Sequence, residues 1–150
     1  MNRAFTLAFA GVLGATAAQA EIKPMDVAFT DGAVAESLTG TTGDAASGRE
    51  VFANRKQGNC LACHQNEDWS ELGFHGEVGP PMDGVADRWT EAELRGIVTN
   101  SKMMFEGTIM PAFYISAGYE RPLDDFAGKS ILTAQQVEDV VAYLTTLKDE

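Results

Sequence analysis

With 150 residues, 22 acidic and 11 basic side chains and a formal net charge of −11, the chain has room for about one domain and carries a strongly negative field. That field argues against nucleic acid or an anionic lipid surface as partner, and against a small anionic substrate unless a local basic patch overrides it. A basic protein partner fits the charge; so does an acidic surface that serves solubility alone.

The first twenty residues, MNRAFTLAFAGVLGATAAQA, place one basic residue, Arg3, ahead of an apolar run from Ala4 to Ala18 and the small-residue pattern Ala18-Gln19-Ala20. This is the layout of a secretory signal peptide cleaved after Ala20. A membrane anchor is the weaker reading, because the run falls short of the ~20 residues needed to span a bilayer and is diluted by Gly, Thr and Ala. Losing the leader removes one positive charge, so the exported chain is more acidic still. Residues 21–43, rich in Gly, Thr and Ala, read as an irregular N-terminal extension, and 44–150 as the working domain.

A first helix is predicted from Ala45 to Lys56, with Asp44 as N-cap and Gly48, Val51 and Phe52 on one side. Arg55 and Lys56 fall in its last turn, where positive charge suits the helix dipole; a docking patch for a partner's carboxylate is the second use for the pair. A second helix starts at Thr90, where Glu93 completes a capping box, and carries Leu94, Ile97 and Val98 as a buried stripe. A third starts at Thr133 with Gln136 as its box partner and repeats Val137, Val140, Val141, Leu144 and Leu147 to the C-terminus. Stretches 66–89 and 105–130 read as long loops. Loops of that length are unusual in a compact domain unless they wrap something. No alternating run is long enough for a sheet, so the class is all-α.

Both cysteines lie in Cys60-Leu61-Ala62-Cys63-His64. Two thiols one helical turn apart can reach the two vinyl groups on one edge of a porphyrin, and the next residue then offers its imidazole to the iron. This is the attachment signal for c-type haem. A thioredoxin-like pair would need a preceding strand and a βαβ setting. Zinc would need a fourth ligand, for which only His75 is at hand. A plain disulfide leaves His64 unexplained. One haem c, held by two thioethers, accounts for all three residues and for the long loops.

A sixth iron ligand remains to be found, and Met sulfur is the common choice in electron transfer. Residues 102–114, KMMFEGTIMPAFY, hold three methionines. Met110 is favoured: Pro111 fixes its own φ and pushes Met110 into extended backbone, which suits a weak ligand. Met103 and Met104 come next and read as packing residues around the ring. Met82, in GPPMDG, is close in sequence to His64 for a chain that must reach the other face. His75, in the glycine-rich GFHGEVG, reads as a solvated loop histidine, with bis-histidine ligation as its alternative. With His64 and Met110 both on the iron, no position is left for substrate, and with both thiols consumed none is left to carry sulfur. A haem enzyme such as a peroxidase, with Met110 off the iron, stands as the contrary reading.

The chain at this point resembles the class I cytochromes c: a helix with GREVF, then CLACH, then VGPPMDGVADRW at the family's Gly-Pro loop, a Met-Pro loop, and a last helix LTAQQVEDVVAYLTTL. The resemblance implies that the first and last helices cross at Gly48, Phe52 and Tyr143. It also implies that the Pro80 carbonyl accepts from the proximal imidazole of His64. More narrowly, ESLTG, GDAASGREVF, NSKMMFEGTIMPAFY and DDFAGKSILTAQQVEDVVAYLTTLK are similar to the SoxX family, monohaem subunits of SoxAX complexes in bacterial thiosulfate oxidation. That likeness covers nearly all of the exported chain and implies Met110 as distal ligand. It implies a periplasmic heterodimer with a SoxA-type c-cytochrome, acting as an L-cysteine S-thiosulfotransferase. There thiosulfate is joined oxidatively to a cysteine of the carrier SoxYZ at SoxA, and this chain accepts electrons and passes them to a downstream acceptor. A free-standing periplasmic carrier for another respiratory enzyme is the alternative.

Overall fold

The computed structural model describes residues 20–149; the predicted leader lies outside them, apart from Ala20. Among the described residues four α-helices, α1 (Ala45–Ala53), α2 (Val85–Arg88), α3 (Glu91–Asn100) and α4 (Ala134–Leu144), are joined by irregular chain carrying five single 3-10 turns. The described residues form no sheet, only an isolated antiparallel bridge between Thr30 and Ala33.

Local chemistry sets the helix starts. Asp44 accepts from the Ser47 N–H at 2.7 Å, and Thr90–Glu93 and Thr133–Gln136 are complete capping boxes. The ends are shorter than the periodicity predicts. Helix α1 stops at Ala53 rather than Lys56, because the Asn54 carbonyl turns to accept from Gln57 and Asn59 and the Asn54 side chain takes the Lys56 N–H. Helix α4 stops at Leu144 rather than at the C-terminus, with the Thr145 and Thr146 hydroxyls bonded back to the Ala142 and Tyr143 carbonyls. Serine and threonine compete with the helical ladder in this way. Leu147 still packs against the core from outside the helix. The segment 66–89, expected as loop throughout, contains the turn Glu67–Trp69 and the short helix α2.

Helices α1 and α4 cross at the point where Gly48 sits. A Cβ there would stand 1.8 Å from the Asp139 carbonyl oxygen, so only glycine lets the two backbones meet. Phe52 then reaches Tyr143 edge to face, with ring centroids 5.5 Å apart. Val51, Val137, Val140 and Val141 close the apolar interior around this crossing.

Residues 21–43 are irregular but belong to the same body. Val34 and Leu38 are buried, and Ile22 donates to the Leu38 carbonyl at 2.8 Å. The stretch is fastened by charge: Arg95 of α3 and Glu138 of α4 pair at 2.9 Å with 4% and 2% of their side chains exposed. Arg95 also donates to the Val34 carbonyl, and the Leu38 N–H donates to Glu138. Each charge is thus paired and hydrogen-bonded, the condition for burying it. This N-terminal strap binds α3 to α4.

Gly48→Ala is expected to lower the stability of the holoprotein by about 3 kcal/mol or more, since the clash is with backbone that cannot turn aside. Thermal unfolding followed at the haem absorption checks it; a loss below about 1 kcal/mol would show that the crossing can open without cost.

Candidate functional site

The turn Cys60–Ala62 starts at Asn59, whose φ of 50° is left-handed, and the Cys60 carbonyl accepts from both Cys63 and His64 at 3.0 and 2.9 Å. One turn therefore presents both thiols and the imidazole together. The return segment 76–82 is laced to it by backbone bonds from Gly76 to Leu61, Gly79 to Cys63 and Met82 to Gln65. His64 Nδ1 lies 2.7 Å from the Pro80 carbonyl. A carbonyl can only accept, so Nδ1 carries the proton and Nε2 keeps its lone pair. The ring rests on Gly79, where a Cβ would stand 2.2 Å from His64 Cε1.

Cys60, Cys63, His64 and Met110 border one cavity of about 640 Å³, within the range of cofactor sites. Its wall is mainly apolar, with Phe52 and Leu144 from the crossing, Leu94 from α3 and Phe113 from the segment after Pro111. Ile97, half-buried on α3, faces the same space. The residues fit a covalently attached haem: thiols and imidazole on one turn, a thioether from another segment, and apolar side chains between. The predicted Pro80 contact lies in the wall beside them.

The two thiols are unbonded to one another. Burial pushes the Cys60 thiol up to about 12, with the neighbouring Cys63 adding to the rise. A redox-active pair needs the opposite, a lowered thiol. His75 cannot serve zinc or a second axial position as it stands. Its Nε2 donates to the Trp69 carbonyl at 3.0 Å, and its Nδ1 accepts from the Asn66 N–H at 3.3 Å. It is a half-buried staple rather than the solvated histidine expected. Among the described residues no cluster of three or more His, Cys, Asp or Glu side chains is disposed to hold a metal ion.

The methionine crowd also divides differently. Met103 is 51% exposed and Met104 packs against Gly32, so neither borders the cavity as predicted for packing around a ring. Met82 does border it, 8% exposed. Its backbone is tied to Gln65, next to His64, which places it with the imidazole. Met110 comes from the separate segment after α3.

The sequence reading missed Arg88 and Trp89, which complete the wall. Arg88 donates to the Pro81 and Asp83 carbonyls at 2.6 and 2.7 Å, gripping the loop that carries Pro80. Trp89 meets Phe105 edge to face at 5.7 Å. The helix α2 that aims both is four residues long, too short for periodicity to reveal. Behind the site, Asn66 donates to the Tyr143 hydroxyl, which donates to Asp68, which also accepts from Arg49.

A cytochrome c family model matches residues 45–148. The chain is 51% identical to a chain in the crystal structure of SoxXA from P. pantotrophus, over 86% of this chain and 99% of that one, with a TM-score of 0.81. It belongs to the cytochrome c family, in the SoxX branch. It is also 28% identical to the c-type cytochrome SorU from Sinorhizobium meliloti, over 69% of this chain and 90% of that one, with a TM-score of 0.46. No curated protein matches it. The cofactor of this family is covalently bound haem c, and Cys60 and Cys63 stand at the spacing of its attachment motif. Among the described residues no helix is long and apolar enough to cross a membrane.

Gly79→Ala is expected to cut sharply the yield of haem-loaded holoprotein, because its methyl occupies the His64 ring position. Gly73→Ala, with nothing within 4 Å, is the control and leaves it unchanged; absorption spectra of the purified proteins compare the two.

Burial pushes the Asp68 carboxyl up, but hydrogen bonds from the Tyr143 hydroxyl and the Arg49 guanidinium outweigh it and hold Asp68 below the usual carboxylate range. Its stabilising contribution is therefore complete above the unfolded carboxylate pKa and lost as pH falls through the lower folded value. Asp68→Asn should lower the melting temperature at neutral pH, and the gap to wild type should narrow below about pH 4. A gap that ignores pH would contradict this.

Proposed function

We propose that the chain is the electron-transfer subunit of a periplasmic SoxAX-type complex, with Cys60 and Cys63 as the thioether anchors, His64 as proximal ligand and Met110 as distal ligand. The observation that carries this reading is one apolar cavity bordered by both thiols, an imidazole whose Nδ1 is held by the Pro80 carbonyl, and a thioether from an independent segment. Bound there, haem c supplies a one-electron iron couple whose potential a Met/His pair raises.

The chain's own residues act by holding and shielding. The Pro80 carbonyl fixes the His64 tautomer and increases the basicity of Nε2. The apolar wall limits water and so strengthens every charge interaction inside. With both thiols spent as thioethers, sulfur transfer falls to a partner, for which a SoxA-type cytochrome fits. Thiosulfate would be joined there to a SoxYZ cysteine, and this chain would take the electrons and pass them to a downstream acceptor. The acidic net charge accords with that division, since it disfavours holding thiosulfate here.

The test is to tag the chain at its C-terminus, mature it in its own periplasm during growth on thiosulfate, and identify what co-purifies. A one-to-one complex with a second c-type haem chain, both reduced by thiosulfate when SoxYZ is supplied, is the expected result. A solitary chain that stays oxidised would make it a free-standing carrier. For the ligands, Met110→Ala should lose the Met-to-iron absorption and lower the potential, whereas Met82→Leu should keep both. The reverse pattern would move the sulfur ligand to Met82.

A further inference from the structure

The segment that presents Met110 is held by a polar clamp. The turn Ser101–Met103 follows directly on α3, and the Asn100 side chain accepts from the Lys102 N–H. From this turn the buried Ser101 hydroxyl donates to the Met110 carbonyl at 3.0 Å. Lys102 Nζ donates to the same carbonyl and also to the Thr108 carbonyl at 3.2 Å. The Met110 N–H in turn donates to the Thr108 hydroxyl at 3.2 Å. Both backbone polar groups of one residue are thus fixed, and the carbonyl takes two donors, one of them charged.

This arrangement answers a specific need. Gly107 has a φ of 75° with nothing within 4 Å of its side-chain position, and Ile109 is 79% exposed. Around Gly107 the loop tip therefore has little protein to pack against, while Thr108 and Ile109 border the cavity. Pro111 stiffens only the far side of Met110. A thioether is a weak, uncharged ligand, and its hold depends on the segment being in place before the bond forms.

We propose that Lys102 is a positioning residue for the distal ligand: its ammonium, with the Ser101 hydroxyl, locks the Met110 backbone so that the sulfur outcompetes external ligands. The inference rests on the reading of Met110 as ligand. Lys102 does not border the cavity. Its two bonds span the loop from Thr108 to Met110 and close it on the end of α3. Charge-assisted bonds of this kind are the stronger class.

The experiment titrates oxidised holoprotein with imidazole and follows displacement of the Met-to-iron absorption, for wild type, Lys102→Met, Lys102→Arg, Ser101→Ala and Met110→Ala. Lys102→Met keeps chain length and loses every donor; it should bind imidazole about tenfold more tightly, the factor expected from one charge-assisted bond. Lys102→Arg should restore much of the resistance, and Ser101→Ala should weaken it by a smaller factor. Lys129→Met, on the exposed segment before α4, controls for loss of charge and should behave as wild type. Thermal unfolding of the Lys102→Met holoprotein should stay cooperative, since the side chain is exposed and the core untouched.

Imidazole affinity in Lys102→Met equal to wild type, or equal changes in Lys102→Met and Lys129→Met, overturns the clamp. Met110→Ala tells a failed clamp from a failed ligand assignment. If it abolishes the absorption while Lys102→Met changes nothing, the clamp alone is wrong. If it leaves the absorption intact, the ligand reading fails and the clamp falls with it.

Discussion

The backbone of Gly48 lies against the carbonyl of Asp139, closer than any side chain would permit, and the rest of the molecule takes its position from that approach. With α1 and α4 in contact, Phe52 and Leu144 become one wall of the cavity, and the turn after α1 delivers Cys60 beside it. Tyr143 then reaches back from α4 to Asn66 and Asp68. The chain that follows the attachment motif is thereby anchored to the same crossing. A haem placed against this wall replaces much of the core that so few helices cannot build for themselves.

The two sides of the cavity are stiffened by different means. On the imidazole side, a short backbone ladder and the Arg88 grip hold His64 and Pro80 in a fixed relation. On the thioether side, backbone bonds from Phe113 and Tyr114 to Val98 and Thr99 begin only past Pro111, and side chains of Ser101, Lys102 and Thr108 hold the Met110 segment itself. The imidazole is the stronger donor of the pair, and its support is built from the commoner material.

How much of this was legible in the sequence depended on the range over which each signal acts. Capping boxes at Thr90 and Thr133 are complete within four residues, so the helix starts were read correctly. The Cys60–His64 motif is equally local, and the family resemblance supplied the Gly48–Tyr143 crossing. Helix ends were overextended because Asn54, Thr145 and Thr146 draw on backbone groups that periodicity does not record. Helix α2 is shorter than one apolar repeat. The roles of His75 and Met104 are set by partners that periodicity does not show, Trp69 and Asn66 for the first and Gly32 for the second, and Met103 is half exposed. The pair Arg95–Glu138 gave no sign at all, since a charged residue on a polar-looking helix face reads as solvated until both helices are in place. What passed for an extension, 21–43, is the segment that this pair binds.

That pair gives the molecule a temperature dependence of its own. Hydration of charged groups becomes less favourable as water warms, so the penalty for keeping Arg95 and Glu138 out of solvent falls on heating, while the gain from apolar contacts levels off. The N-terminal strap is therefore fastened to α3 and α4 by a contact that fades more slowly with heat than the valine packing beneath it. On cooling the order reverses: the ions are drawn back toward water just as apolar burial weakens. The strap is better suited to warmth than to cold.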